Sequence, residues 1–517
     1  MVQASATGLS RDLAANLRLV RTALGESMDV IIREFTLGPT PAALVYIDGL
    51  LDKPTVQENV LRAIMVDTHL IDAAGASARS LIPVVKERVL SVGDVQEVRD
   101  IEALISGVLD AHAAILFNQN DTGLIVNLPG FKVRSVEEPK TEPVVRGPRE
   151  GFVESLRINL SLLRRKVKSS DLRLQHHRVG RVTRTDVCVA YIEGLANPEV
   201  VNEVRRRLGR IDIDGILESG YIEQLIEDAP RSLFPTVGNT EKPDRLAAQL
   251  LEGRVGIITD GTPTTLTVPY FFIETLQSSE DYYMRHIPSS FFRILRTFAL
   301  FLTLFLPALY VATSSFNPEM LPTALLVTMA ASREGIPLPA VGEILVLGVF
   351  YEVLRESGLR LPRPVGEAVS IAGAIVIGQA AVQAGLVSTP AIIVTALAAI
   401  ASFVVPSQAD AWILLRLFLV SLSAVAGFFG LFTGLTLILA HLVSLRSFGV
   451  PYLAPLAPLR TEGLKDTFIR APWWAMDRRP PFLARRDNLW RSGPSTAPSP
   501  PGEKASEPGD RPEGGSG

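Results

Sequence analysis

The chain carries one short pattern twice, as VYIDGL at residues 45–50 and as AYIEGL at residues 190–195. In both places an apolar run ends in an acid and a glycine, and a turn with a proline follows, at Pro54 or Pro198. A short apolar run bounded by turn residues is typical of a buried strand. The valines and the arginine after each proline recur at matched positions with helical spacing. Both copies are therefore predicted to contain a strand followed by a helix.

A second block matches further along the chain, with residues 109–116 resembling residues 251–258. In each copy a polar turn follows, and then an alternating run that ends in proline, at residues 124–129 and 264–269. This order is typical of a helix followed by a β-hairpin. Because two blocks match in the same order at a nearly constant offset, we interpret them as a duplication rather than as a chance likeness of α/β segments. The first part of the chain is thus predicted to be two duplicated α/β domains.

The later part of the chain contains long stretches without charge. Residues 298–318 and 368–409 carry no charged side chain, and residues 417–445 have only His441 as an ionisable group. The chain of 517 residues is 47% hydrophobic and 20% charged, whereas a soluble protein usually carries about 25% charge. A membrane span needs roughly 20 apolar residues. The fold class predicted is duplicated N-terminal α/β cytoplasmic domains plus an all-α polytopic membrane domain.

The last apolar stretch is too long for one upright span and too short for two. As a single helix it would rise about 43 Å. Two interpretations stay open, a tilted helix that starts near Trp412 or a tight hairpin at residues 427–430. Residues 321–354 are interrupted by prolines and charges, which favours a broken or re-entrant element.

Basic residues flank the apolar stretches on both sides. Arg293 and Arg296 precede the first stretch, and a segment rich in arginine and tryptophan follows the last. Under the positive-inside rule both ends face the cytoplasm, which requires four or six crossings. The predicted organisation is a first α/β domain at 1–130, a linker at 131–155, a second α/β domain at 156–290, a transmembrane domain at 291–445, a juxtamembrane segment at 446–490 and a disordered tail at 491–517.

The composition argues against several kinds of site. A single cysteine, Cys188, rules out an intramolecular disulfide and a paired-cysteine metal or redox site. The six histidines show no metal-ligand spacing, and the sequence has neither a phosphate-binding loop nor a nucleophile elbow. The net charge of −3 argues against a nucleic-acid partner. We therefore expect no enzymatic activity and no catalytic, cofactor or metal site.

The linker and the helix after it alternate acids and arginines. Such a pattern can form an ion-pair network at a domain or subunit interface. The candidate interdomain or subunit contacts are Glu137, Glu138, Arg146, Arg149, Glu150, Glu154, Arg164 and Arg165.

A few polar side chains fall within the apolar helices. Glu343 and Glu352 are nine residues apart, so a helix directs them to opposite faces. Glu352 is expected to pair with Arg355, and Arg416 to reach the membrane interface. Glu343 is a candidate for an ion path, because an acidic ring in an oligomer favours cations, with a structural hydrogen bond as the alternative. Thr395 is the second candidate, with close helix packing as its alternative.

Several motifs together resemble the GerA family of bacterial spore germination proteins. They are PGFKVRSVEEPKTEPVVRGPREGF at residues 129–152, NLSLLRRKV at residues 159–167, the YIEGL and NQND elements, and FGVPYLAPLAP at residues 448–458 with DTFIRAPWW after it. The similarity covers about residues 15–485. The linker followed by this membrane pattern makes the resemblance specific.

The resemblance implies a membrane subunit of a spore germination receptor. In this family an A subunit works with a transporter-like B subunit and a lipoprotein C subunit in the inner spore membrane. It is expected to self-associate, contact membrane lipid, respond to a nutrient germinant directly or through the B subunit, and open as a monovalent cation channel. A related subunit, encoded with the dipicolinate-channel genes, amplifies the signal and is not distinguished by the sequence. A solute transporter with residues 321–354 as its substrate site and a non-conducting scaffold also stay open.

Overall fold

A computed structural model describes most of the chain. It covers residues 8–37, 40–51, 54, 56–62, 81–86, 95–128, 138–139, 142–360, 378–405, 408–476, 478–480 and 482–483. The predicted contact residue Glu137 and the predicted disordered tail at 491–517 lie outside the described residues.

The first α/β unit is an antiparallel sheet with the strand order β1-β2-β4-β5-β3. Helices α1 and α2 cover one face of this sheet. Asp12 begins α1 by accepting a hydrogen bond from the Ala14 amide, which satisfies a donor that the first turn leaves free. The elements are α1 (Leu13–Leu24), β1 (Val30–Leu37), β2 (Thr40–Ile47), β3 (Val95–Val98), α2 (Ile101–Leu109), β4 (His112–Phe117) and β5 (Gly123–Asn127), with short helical segments at Val56–Arg62 and Leu81–Val84.

The second α/β unit repeats this architecture. Its strand order is β6-β7-β9-β10-β8, which is the first order with each strand replaced by its counterpart. Helices α3 and α6 cover one face, as α1 and α2 do in the first unit, and α4 and α5 cover the other. The elements are α3 (Leu156–Lys166), β6 (Leu172–Val179), β7 (Thr185–Ile192), α4 (Pro198–Leu208), α5 (Ser219–Ile226), β8 (Gly238–Thr240), α6 (Pro243–Glu252), β9 (Val255–Thr259) and β10 (Thr265–Val268).

An apolar helical region follows the two units, so the predicted fold class is confirmed. Its helices are α7 (His286–Ser315), α8 (Thr323–Arg333), α9 (Ala340–Arg360), α10 (Thr389–Val404) and α11 (Ala409–Ser444). Within the described residues, two segments are long and apolar enough to cross a membrane, α7 and residues 410–444, with windows of mean hydropathy 1.9 and 2.1. Residues 321–354 are divided between α8 and α9.

The segment α11 is a helical hairpin. The chain leaves helical geometry at Gly427, where φ is 56° and ψ is −134°. The rings of Trp412 and His441 both lie close to the ring of Phe234, at 6.0 and 6.1 Å between centroids, although a straight helix would separate them by about 43 Å. Gly427 packs against Phe316, just beyond α7. The structure therefore contains the hairpin, which is one of the two interpretations of this stretch. The two ends of α11, which carry Trp412 and His441 and which we call its feet, both contact the second unit.

The chain after α11 folds back onto the second unit. Its first residues form the short strands β11 (Arg446–Ser447) and β12 (Val450–Pro451). The Ser447 hydroxyl donates to the Thr236 carbonyl at 2.6 Å. The second unit, the feet of α11 and this segment therefore meet in one place. We call it the aromatic junction, and it is defined by Phe234, Tyr270, Phe272, Trp412 and Tyr452.

Candidate functional site: a polar cleft among apolar helices

A cleft of about 440 Å³ lies between α7, α9, α10 and α11, and we call it the helix cleft. Most of its wall is apolar, formed by side chains such as Pro307, Ile344 and Val420. Polar groups inside an apolar helical bundle are costly and mark functional sites in membrane proteins. The polar residues of this wall are Glu352, Glu356, Ser357, Thr395 and Arg416.

An ion-pair cluster crosses the helix cleft. Arg416 Nη2 on α11 donates to Glu352 Oε1 on α9 at 2.8 Å, and Arg355 Nε donates to Glu352 Oε2, also at 2.8 Å. The expected pair of Glu352 with Arg355 is therefore confirmed. Arg416 pairs with the Glu352 carboxylate across the cleft, and its expected position at the membrane interface stays a prediction. Arg416 is 9% exposed and the Glu352 side chain is 24% exposed.

Glu343 lies elsewhere and does not line the helix cleft. Its side chain is fully buried between α8 and the start of α10. Glu343 Oε2 accepts the Ser388 amide at 2.6 Å, and Arg333 Nε is 3.2 Å from Oε1. The Tyr310 and Ser388 hydroxyl groups are 3.3 Å apart beside it. These contacts tie α8, α9 and the start of α10 together, as the structural alternative for Glu343 expects, and a role of Glu343 in an ion path stays a prediction.

Thr395 is the sequence candidate that the structure places in the helix cleft. Its hydroxyl oxygen is buried and has no hydrogen-bond partner among the described residues. A buried hydroxyl normally finds a partner, so an unpaired one offers a contact to a polar occupant. The structure therefore brings Thr395 together with Glu352 and Arg416 and keeps Glu343 apart. Among the described residues no cluster of histidine, cysteine, aspartate or glutamate could hold a metal ion.

The helix cleft is connected to the second unit through the aromatic junction. Trp412 lies one turn of α11 before Arg416, about 6 Å along the helix axis. Its ring packs edge-on against Phe234 and Phe272 of the second unit. At the other foot, the Ser232 hydroxyl lies 2.9 Å from His441 Nε2. The second unit is therefore in direct contact with the helix that carries Arg416.

A buried arginine fixes the base of α7. Arg293 is completely buried, and its Nε donates to Asp281 at 2.9 Å while Nη1 donates to Asp466 at 2.7 Å. Its guanidinium carbon also lies 5.3 Å from the centroid of the Tyr282 ring. Planar guanidinium groups suit such combined pairing and stacking. Arg293 thus joins α7, the residues before it and the segment after α11.

A second buried charge cluster joins the end of α6 to the residues that follow β10. Arg254 Nη1 donates to Glu274 at 2.5 Å, and Arg254 Nε donates to Glu252 at 3.0 Å. Burial raises the pKa of Glu252 to about 7, the Arg254 charge opposes this, and the Glu274 carboxylate adds to it. Glu252 therefore titrates near neutral pH, outside the apolar helices.

The predicted contact Arg164 is the central residue between the two α/β units. It is fully buried and holds Asp29 of the first unit with two hydrogen bonds, from Nε at 2.9 Å and from Nη2 at 3.1 Å. Nη2 also donates to the Ser27 hydroxyl. Sequence reasoning missed Asp29, which is 135 residues away from Arg164 and belongs to no motif.

The other predicted contacts lie mostly within the linker and the second unit. Glu150 receives Arg165 at 3.4 Å and Lys166 at 3.0 Å. The pKa of Glu150 lies below its ordinary value, since these cations outweigh its partial burial. The remaining contacts are Arg149 with Glu138 at 3.9 Å, the Arg146 amide with Glu280 at 3.4 Å, and the Glu154 carbonyl with the Gly261 amide at 2.7 Å. Sequence reasoning missed Glu142, which pairs with Arg245.

The chain matches a known protein family over most of its length. A family profile described as "Bacillus/Clostridium GerA spore germination protein" matches residues 18–482. The chain belongs to the GerA spore germination family. The resemblance found in the sequence is therefore confirmed.

Several GerA-family relatives match nearly the whole chain. Spore germination protein KA of Bacillus subtilis (strain 168) is 45% identical over 497 residues, which are 95% of this chain and 90% of that protein. Spore germination protein GerLA of Bacillus cereus is 36% identical over 487 residues, which are 93% of this chain and 98% of that protein. A crystal structure of the N-terminal domain of the A subunit of the Bacillus megaterium spore germinant receptor GerK3 is 36% identical, with a TM-score of 0.42, and covers 52% of this chain and 98% of that chain.

Proposed function

We propose that this chain is the membrane A subunit of a spore germinant receptor and that its helix cleft forms part of a monovalent cation path. The family membership supports the receptor role. The observation that carries the cation path is the helix cleft itself, which is lined by a carboxylate and a buried hydroxyl between apolar helices. Carboxylates and hydroxyl groups favour cations when they line a pore.

In the proposed closed state the Arg416–Glu352 pair blocks the cleft. The guanidinium neutralises the carboxylate and occupies the space between α9 and α11. Breaking this pair would leave Glu352 with Arg355 as its remaining cation. Glu352 and Thr395 would then line the cleft without the Arg416 guanidinium between α9 and α11. The open state then requires a movement of α11 relative to α9.

The aromatic junction is the proposed route for that movement. Both feet of α11 rest on the second α/β unit, through Phe234 and through Ser232. A nutrient signal that shifts this unit would move Trp412 and, one helical turn later, Arg416. The signal is proposed to reach the unit through receptor partners, namely a transporter-like B subunit and a lipoprotein C subunit, or through further copies of this chain.

The proposed location is the inner spore membrane, with the helices in lipid and both α/β units in the cytoplasm. The second unit and the segment after α11 lie at the same end of the helices, where Arg293 and Arg296 occupy the first turns of α7. Basic residues at this end agree with a cytoplasmic position. The exposed apolar side chains of α7, including Phe298 and Phe301, would then face lipid or another subunit.

Potassium efflux from liposomes tests the proposal. The chain is reconstituted with its co-encoded partners, and efflux is followed on addition of the common amino acids. Glu352→Gln removes the carboxylate and leaves two arginines at the cleft, so cation efflux is expected to fall on the order of tenfold. The matched control is Glu334→Gln, an exposed carboxylate of the same helical region, which should retain the efflux of the parent chain.

Three outcomes would overturn this assignment. Selectivity that changes in Glu343→Gln but not in Glu352→Gln would place the path beside Glu343. Saturable uptake of a solute would make the protein a transporter. An assembled complex without any flux would make it a scaffold.

A further inference from the structure

A second cavity, of about 280 Å³, lies outside the apolar helices. It is enclosed by α6, by the residues that lead into α7 and by the segment after α11, and we call it the junction cavity. The rings of Phe271, Tyr282, Tyr283 and Trp473 form much of its wall. The proposed cation path makes no use of this cavity.

Two buried acceptors in this wall have no donor. Asp244 is 9% exposed and Gln249 is 7% exposed. Asp244 Oδ2 accepts the Tyr283 hydroxyl and lies 3.6 Å from Lys242 Nζ, whereas Oδ1 has no hydrogen-bond partner in the described part of the chain. Gln249 Nε2 donates to the Glu274 carboxylate at 3.2 Å, which fixes Gln249 Oε1 as an acceptor because a carboxylate only accepts. That oxygen, too, is without a partner among the described residues.

The basic groups of the wall are already engaged. Arg254 contacts Glu274 and Glu252, and Arg245 contacts Glu142. The others have partners as well, Arg478 with Glu462, Arg479 with the Leu251 carbonyl and Lys465 with the Ala475 carbonyl. An anionic ligand would therefore compete with existing pairs and would meet acceptors that it cannot satisfy. A ligand that brings its own donors meets neither obstacle.

We infer that the junction cavity binds a small organic amine. Its ammonium group donates to Asp244 Oδ1, a further N–H or hydroxyl donor reaches Gln249 Oε1, and its apolar part lies against the rings. Phe271, Tyr282 and Trp473 already have an arginine guanidinium over a ring face, so the rings supply apolar contact and the unpaired acceptors supply the preference for a cation. The bound amine would contact both α6 and Tyr282, whose ring also packs on Arg293 at the base of α7.

Binding to the full-length chain in lipid nanodiscs tests this inference by calorimetry. The probes are 2-phenylethylamine and 3-phenylpropionate, which have similar size and opposite charge. The amine is expected to bind at least tenfold more tightly than the carboxylate. Asp244→Asn keeps the size of the side chain and removes its charge, and Gln249→Met removes the acceptor, so each should weaken amine binding about tenfold or more.

Asp212→Asn is the matched control, because Asp212 is an exposed carboxylate paired with Arg181 away from the cavity. It should bind the amine as the parent chain does. The inference would be overturned by equal affinity for the two probes, by unchanged binding in both cavity variants or by the absence of amine binding. It would also be overturned if potassium chloride displaced the amine more strongly than sodium chloride does. Melting temperatures identify a variant that fails to fold, in which case the other variant decides. The assay measures no flux, so its failure leaves the proposed cation path to its own test.

Discussion

The contact between the two α/β units centres on charged side chains, whereas the contact between the second unit and the feet of α11 centres on aromatic rings. Between the units, Arg164 and Asp29 pair with side chains that are only 1% and 3% exposed. At the aromatic junction, Phe234 and Phe272 pack on Trp412 with centroids 6.0 and 6.3 Å apart. The two units have the same strand order, so the difference arises from their surfaces and not from their fold.

The contact between the two units depends on a few specific atoms, whereas the contact at the aromatic junction is spread over a continuous apolar surface. An ion pair depends on the position of a few atoms, and removing one partner leaves an uncompensated charge. Packed rings form part of a larger apolar cluster, which here runs from Phe234 of the second unit to Leu431 in α11. The second unit and the helices are therefore expected to move together, while the contact between the two α/β units is expected to be more sensitive to a single substitution.

Arg164→Met is expected to have the largest effect. It leaves Asp29 buried without its partner, which typically destabilises a protein by about 3–5 kcal/mol. Thermal unfolding of the full-length chain measures the loss. Arg165→Met, at a partly exposed neighbour, is the control and should lose far less. The double variant Arg164→Met with Asp29→Leu should recover much of the stability, and a double variant as unstable as Arg164→Met would show that lost packing dominates.

A dependence of stability on pH is expected from Glu252, on the side of the second unit that faces the helices. Its pKa is about 7 in the folded chain against an ordinary value of 4.5, a difference that corresponds to about 3 kcal/mol. The folded state holds this proton more tightly, so stability falls as the pH rises from about 4.5 to about 7. Glu252→Gln should remove this loss and melt higher than the parent chain at alkaline pH. Glu199→Gln, at an exposed carboxylate of α4, should not.

Sequence reasoning succeeded where information was local. The repeat predicted strands β2 and β7 and the helix after Pro198, because apolar runs, turns and caps are encoded by neighbouring residues. It also predicted Glu352 with Arg355, three residues apart. Strands β1 and β6 were missed, since their exposed charged positions, such as Arg33 and Glu34, weaken the apolar signal of a strand at the sheet edge.

The partners of buried charges could not be predicted in this way. Arg416 meets Glu352 across 64 residues, and Glu343 accepts the Ser388 amide across 45 residues. Which acid faces which arginine depends on how α9, α10 and α11 pack, and residue spacing within one helix does not contain that information. Thr395 was identified because its helix was recognised, but its neighbours in the helix cleft came only from the structure.

Gly427→Val tests whether the hairpin tip is needed to hold both feet of α11 on the second unit. Gly427 has φ of 56°, and an added Cβ would lie 2.8 Å from Phe316 Cβ. Such backbone strain costs on the order of 1–3 kcal/mol, so the melting temperature should fall. Gly348→Val is the control, because among the described residues no atom lies within 4 Å of an added Cβ there. An equal loss in both variants would contradict a special role of the tip.

Lys168→Met is expected to have the smallest effect. It allows an exposed ion pair between the two units to be compared directly with the buried pair of Arg164 and Asp29. Lys168 Nζ lies 2.7 Å from Asp110 Oδ1 across the same pair of units as Arg164 and Asp29, but these side chains are 58% and 43% exposed. Water and salt screen an exposed pair, so the loss should be below about 1 kcal/mol and should shrink at high salt. Arg164→Met and Lys168→Met each remove one cation from a carboxylate of the first unit. The two variants differ mainly in how deeply that cation is buried. A loss in Lys168→Met as large as that in Arg164→Met would mean that the number of charges, and not their burial, joins the two units.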